Sequence, residues 1–310
     1  MTAPIVFQYP DRLWFLALIP ALLALYGLLS WRTASRLRRR GGDVLARLLP
    51  KQQAWKRHVA VLLALASLGS LTLAFAMPSG EVDVPRDRAT VCIAIDVSLS
   101  MEATDIDPSR LAAEKVAGQQ FVDLLPAGFN VSLVSFAGYG TLLVPPTTDR
   151  GLVKRSIENL QLNSFTSIAS GIDSCLDAMK LAPVDPKHPD QPPPGAIVLL
   201  SDGSTTVGRP SADAAADAKK AQIPVFTIAY GTANGYVVQN GRREYVPVDK
   251  RELQRIADVS GGEAFSAGSA SELRSVYASI AHEIGSEKAY QEITERFAGA
   301  AAVLAVLAAL

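Results

Sequence analysis

Several things are scarce in this chain, and each scarcity removes a function class. Lys plus Arg and Asp plus Glu are equal at 30 each, so the overall charge carries no sign of a nucleic-acid partner. There are three histidines, His58, His188 and His282. The first lies in a basic segment, the second in a proline-rich run and the third in the last helix of the central region. None is placed beside a serine and an aspartate, which argues against a Ser-His-Asp triad. No phosphate-binding P-loop sequence is present, and Gly138-Tyr139-Gly140 lacks the third glycine and the context of a dinucleotide fingerprint. Internal repeats are absent. The two cysteines, Cys92 and Cys175, fall on a central strand and a helix. They are read as two buried thiols acting as small apolar residues, although an extracytoplasmic domain could oxidise them.

What the chain has in excess is apolar sequence, with a mean hydropathy of +0.19 that is unevenly spread. Leu13–Trp31 and Val59–Met77 contain no charged residue and no polar face. Each is long enough to cross a hydrocarbon core of ~30 Å. Between them stand Arg32, Arg36, Arg38, Arg39, Arg40, Arg47, Lys51, Lys56 and Arg57 against Asp43 alone. By the positive-inside rule residues 32–58 are cytoplasmic, and both residues 1–12 and everything after Met77 are outside. Phe297–Leu310 is a third apolar stretch, about 21 Å long as a helix. It is read as a span within which the sequence is truncated, and 288–310 as linker plus that span.

Between the linker 78–88 and residue 287, strand and helix patterns alternate. Strands are expected at Ala89–Ile95, Val131–Phe136, Thr141–Val144, Ala196–Leu200, Ile223–Ala229 and Glu263–Ser266. Helices are expected at Ser109–Leu125, Arg150–Leu160, Ser167–Lys180, Ser211–Ala221, Lys250–Val259 and Ala270–Ile284. This alternation predicts an α/β domain over 89–287, a doubly wound and mostly parallel sheet. Ala182–Gly195 reads as an irregular, proline-rich surface loop. Asn234–Val248 reads as a hairpin turning at Asn240-Gly241, a type I′ pair.

The chemistry-bearing segment is Val91–Ser100. A buried strand runs into Asp96-x-Ser98-x-Ser100, placing a carboxylate and two hydroxyls at a strand's carboxyl end, where open α/β sheets bind ligands. Hard oxygens suit Mg²⁺, Mn²⁺ or Ca²⁺ rather than zinc or copper. Two further segments supply oxygens: Thr166, at the start of a helix, and Asp202-Gly203, after the strand at Ala196. Read singly, Thr166 is a helix N-cap and Asp202 an Asx turn. Asp105 and Asp107 read as loop and helix-start residues rather than a phosphotransfer pair.

The ordered set Asp96-x-Ser98-x-Ser100, Thr166, Asp202 resembles the metal-ion-dependent adhesion site (MIDAS) of the von Willebrand factor type A fold. The resemblance implies that Ser98, Ser100 and Thr166 contact the cation through hydroxyls. Asp96 and Asp202 would act largely through water or hydrogen bonds. One coordination position would be left for a carboxylate from a protein partner. Two spans, a basic loop and an exported type A domain further resemble the bacterial Bat-type (aerotolerance-associated) membrane proteins, and more closely an uncharacterised actinobacterial branch. The supporting runs are Asp105–Arg110, Pro145–Arg150 and Leu273–Ile280. The resemblance implies a cell-membrane scaffold or assembly component that is not an enzyme, with a MoxR-type AAA+ ATPase complex and other type A membrane proteins as partners. Phe165 departs from the pattern, standing where Bat-type proteins carry glycine beside Thr166. The alternatives are a metal-dependent hydrolase at the same site, which lacks an evident base, and a structural envelope scaffold with a vestigial site.

Overall fold

The computed structural model describes residues 5–39, 54–184, 194–239 and 241–310. Arg40, Asp43, Arg47 and Lys51 of the basic segment, His188 with most of the proline-rich loop, and Asn240 lie outside them. The chain divides into two units, residues 85–287 and residues 1–84 with 288–310.

The larger unit is built on a six-stranded sheet. Its strands are β3 (Thr90–Asp96), β4 (Asn130–Phe136), β5 (Gly140–Thr147), β6 (Gly195–Ser201), β7 (Val225–Tyr230) and β10 (Ala264–Ala267), in the order β10-β7-β6-β3-β4-β5. All neighbours are parallel except β4 and β5. The chain winds outward from β3 through β4 to β5, then returns to β6 on the other side of β3. The switch point thus falls between β3 and β6, whose carboxyl ends carry Asp96 and Ser201-Asp202.

Alternation along the strands divides the core. Val91, Ile93 and Ile95 join Val198, Leu200 and Ile228 beneath α3 (Arg110–Leu124), α4 (Arg150–Glu158) and α8 (Ala270–Gly285). Cys92 and Ala94 join Ile197 and Leu199 beneath α5 (Ile168–Met179), α6 (Ser211–Lys220) and α7 (Lys250–Ser260). Both faces of the sheet are covered, so β3 is buried at every residue and reads as a continuous apolar run. The same alternation corrects the reading of the cysteines. Cys92 faces α5, where Cys175 sits with its Cα 5.7 Å away, and the two form a disulfide. The hairpin is present as β8 (Tyr236–Gln239) and β9 (Arg242–Tyr245). Its register pairs Gln239 with Arg242, and Gly241 is at φ +74°.

In the smaller unit, α1 (Leu18–Arg39) follows a 3₁₀ turn, and α2 is Ala54–Phe75. Pro10–Thr33 and Trp55–Phe75 are long and apolar enough to cross a membrane. The 78–88 stretch, expected as linker, instead forms β2 (Pro78–Pro85). Likewise 288–292, also expected as linker, belongs to β11 (Ser286–Glu292). With β1 (Val6–Phe7) these make a three-stranded sheet in the order β1-β2-β11. The last apolar stretch is helix α9 (Thr294–Ala309), which packs on α2. Ser67 Oγ donates to Ala301 O, and Ser70 Oγ to Phe297 O, each at 2.7 Å.

Candidate functional site

Three loops meet at the switch point. The first leaves β3 at Asp96, whose carboxylate is fully buried. Asp96 Oδ1 accepts from Ser98 N at 2.8 Å, bending the chain so that Ser98 Oγ and Ser100 Oγ lie 2.9 Å apart. The second loop precedes α5. Asn163 N donates to Val97 O at 2.7 Å, and Ser98 pairs with Asn163 as an isolated β-bridge. The third follows β6: Thr206 N and Val207 N both donate to Thr166 O, at 2.9 and 3.1 Å. Thr206 Oγ1 in turn accepts from Thr166 N at 2.8 Å. Asp96, Ser98, Ser100, Thr166 and Asp202 therefore stand on three mutually bonded loops.

The two single-residue alternatives fare differently. Ser167, not Thr166, caps α5: its Oγ accepts from Ser170 N. The hydroxyl of Thr166 is thus not used to start the helix. Asp202 does make the Asx turn, accepting from Ser204 N at 3.0 Å through Oδ1, beside Gly203 at φ +87°. A Cβ on Gly203 would lie 2.3 Å from Asp249 O, so only glycine fits there. Asp202 Oδ2 remains for other partners.

Three contributors escaped the sequence reading. Ser201 points to the same face of the sheet as Asp96 and donates to Asp96 Oδ2 at 2.6 Å. Its signal was its position directly before Asp202 at the strand end. Arg110, the first residue of α3, is fully buried and reaches Asp202 Oδ2 with Nη1 at 3.5 Å. Its Nε and Nη2 also hold Asp105 Oδ1 and Oδ2 at 2.8 Å each, and Nη2 donates to Val246 O at 3.0 Å. Gly231 and Gly235 make room for this guanidinium, since a Cβ on either would fall within 2.5 Å of an Arg110 atom. Asp105, expected as an ordinary loop residue, is thus the main counter-charge of a buried arginine. Thr206, bonded to the backbone of Thr166, carried no local signal at all.

The electrostatics follow from burial. Asp96 is pushed up to about 7, first by desolvation and then by the nearby Asp202 carboxylate, against the hydrogen bonds from Ser201 and Ser98. Burial also raises Asp105, but hydrogen bonds from Arg110 and Thr232 outweigh it and hold the group below its ordinary value. Two carboxylates forced together in a dry site favour a cation between them. The donor set, two carboxylates and three hydroxyls, fits a hard divalent ion. Among the described residues no group of three or more His, Cys, Asp or Glu is placed to hold a metal, at this site or any other, so a cation here would depend on the hydroxyls.

Phe165 immediately precedes Thr166. It is 62% exposed and holds φ +67°, a left-handed conformation costing a non-glycine residue about 1–2 kcal/mol.

Residues 91–204 match the von Willebrand factor type A domain model. A UPF0353 protein of Mycobacterium sp. (strain KMS) is 42% identical over 288 residues, covering 91% of this chain and 86% of its own length. The chain belongs to the UPF0353 family. Another UPF0353 protein, from Mycobacterium tuberculosis strain H37Ra, is 38% identical over 306 residues, 96% of this chain and 91% of its own. Among solved structures, BatB from Bacteroides thetaiotaomicron is similar at 25% identity and TM-score 0.54, covering 63% of this chain and 97% of that one. An aerotolerance-related membrane protein from Bacteroides fragilis has the same fold, at 24% identity and TM-score 0.55 over 63% and 98%. So does proximal thread matrix protein 1 of the mussel byssus, at 18% and 0.50 over 73% and 52%, whose structure has zinc in its MIDAS motif. The central domain is therefore a type A domain, and this chain resembles BatB and the aerotolerance-related membrane protein in fold.

Proposed function

We propose that this UPF0353 protein is a membrane-anchored, extracytoplasmic protein-binding module. A divalent cation, Mg²⁺ by the hardness of the donors, is held by Ser98, Ser100 and Thr166 together with Asp96 and Asp202. When bound, the ion supplies an electrophilic centre for a carboxylate of a protein partner. The chain's own part is to orient the hydroxyls: Ser201 and the Ser98 amide fix Asp96, and Arg110 fixes Asp202. The observation that carries this reading is the pair of fully buried carboxylates at the ends of adjacent central strands, with two hydroxyls 2.9 Å apart on the loop that leaves the first of them.

The reading is of binding rather than catalysis: among the described residues no histidine stands by the hydroxyls, and the carboxylate that does, Asp96, is held by the Ser98 amide and the Ser201 hydroxyl. His58 Nδ1 lies 2.7 Å from Tyr26 Oη in the helical unit, and His282 is exposed on α8. The outward placement rests on the cationic flank of α1, with Arg32, Arg36, Arg38 and Arg39, and on Lys56 and Arg57 at the start of α2. The Cys92–Cys175 disulfide also fits an oxidising compartment. A MoxR-type ATPase complex as partner rests on the Bat-type resemblance alone.

Titration of the purified full chain with Mn²⁺ tests the site. Wild type is expected to bind about one ion, with Asp96→Ala losing at least tenfold in affinity while keeping its circular dichroism spectrum. Equal Mn²⁺ binding by both proteins, or none by wild type, sinks the reading.

A further inference from the structure

Around Thr166 the surface turns apolar. Phe165 immediately precedes it and is 62% exposed; Tyr139 is 64% and Val207 36% exposed. The three come from different loops held at one place. Gly138 N donates to Ser164 O at 3.1 Å, and a Cβ on Gly138 would sit 3.3 Å from Phe165 Cβ, so the 138–140 turn lies on Phe165. Val207 N is bonded to Thr166 O. The pairing is unusual on physical grounds. Phe165 bears a strained backbone and shows most of a large ring to water, with the Gly138 turn against its base. Glycine would adopt the same backbone without strain and would expose no ring.

We infer that Phe165, Tyr139 and Val207 form an apolar rim to the cation site, and that the rim reads the residue beside the partner's carboxylate. The partner it fits is an exposed protein segment carrying Asp or Glu next to a large apolar side chain such as Leu or Phe. The carboxylate meets the cation, and the apolar neighbour covers the Phe165 ring. Charge complementarity supplies the first half of this recognition; burial of the rim supplies the second and gives it selectivity, since a cation alone accepts any carboxylate. The inference rests on the cation-site reading above.

The test uses the full chain in nanodiscs and a set of capped peptides. Each peptide carries one Asp flanked by Leu, Phe, Ser or Gly, and binding is measured in MnCl₂ and in EDTA. In Mn²⁺, wild type is expected to prefer the Leu and Phe peptides at least tenfold over the Ser and Gly ones. Phe165→Gly, which suits the positive φ, abolishes that preference without changing Mn²⁺ affinity or lowering the melting temperature. Tyr139→Ser reduces the preference by a smaller factor. The rim proposal is overturned if wild type shows no preference, if no peptide binds, or if the preference survives in Phe165→Gly. It is equally overturned if Phe165 proves to mediate self-association by light scattering, or binding to empty phosphatidylcholine–phosphatidylglycerol vesicles. Loss of Mn²⁺ binding itself marks failure of the cation reading, a separate result from Mn²⁺ binding without peptide selectivity.

Discussion

Arg110 occupies one of the driest positions in the domain, with a carboxylate on either side. Removing the guanidinium leaves Asp105 and Asp202 without their counter-charge. Breaking a buried pair of this kind costs about 3–5 kcal/mol, far more than a surface ion pair. Arg110→Met is expected to lower stability by that amount in urea denaturation, and Arg110→Lys to recover only part, because an ammonium cannot reproduce the fork. Four residues on along α3, Glu114 is fully buried with neither oxygen bonded, near Tyr230 and Tyr277, whose hydroxyls are also unpartnered. Burial, and next the charge of Asp96, push Glu114 well above its ordinary value. The folded state therefore holds a proton that the unfolded chain releases above about pH 4.5. Stability contributed by that proton is present at acid pH and declines as pH rises. Glu114→Gln is expected to flatten this decline, so that urea midpoints at pH 5 and pH 8 lie closer together than in wild type. An unchanged difference would locate the titration elsewhere.

At the scale of elements, legibility followed hydrophobic pattern. β3 was readable because both its faces are covered, and α3 and α8 because their boundaries carry caps, Ser109 and Ser269. β2 and β11 escaped because Ser-Gly-Glu-Val-Asp and Glu-Lys-Ala-Tyr-Gln have no apolar period, and what makes them strands is backbone pairing with a distant partner. The site divided in the same way. Asp96, Ser98, Ser100 and Asp202 announce themselves by following buried strands, whereas Arg110 and Thr206 act through partners 92 and 40 residues away. The disulfide likewise needed the register of α5 against β3. It closes a loop of 83 residues, and in the chain-entropy view such a link stabilises by about 2–5 kcal/mol. Cys92→Ala with Cys175→Ala should lower the denaturant midpoint accordingly, with the β3 and α5 amides losing most hydrogen-exchange protection. No change in midpoint would mean the bond adds nothing to the fold.

For the whole molecule, the proposed orientation makes a simple expectation. Trypsin added outside intact protoplasts should remove residues 85–287 while leaving the arginine-rich stretch between α1 and α2 protected; the opposite pattern would invert the topology. A different consequence follows from the start of α5, where Ser167 holds the helix and its neighbour does not. Of two adjacent hydroxyl residues, one serves the architecture, and the proposed cation site would take the other. Thr166→Ala should then melt at the wild-type temperature. A lineage could discard the ion or exchange it for another and still keep an intact domain at the surface. On the proposed reading, recognition would be a removable attachment rather than a part of the frame.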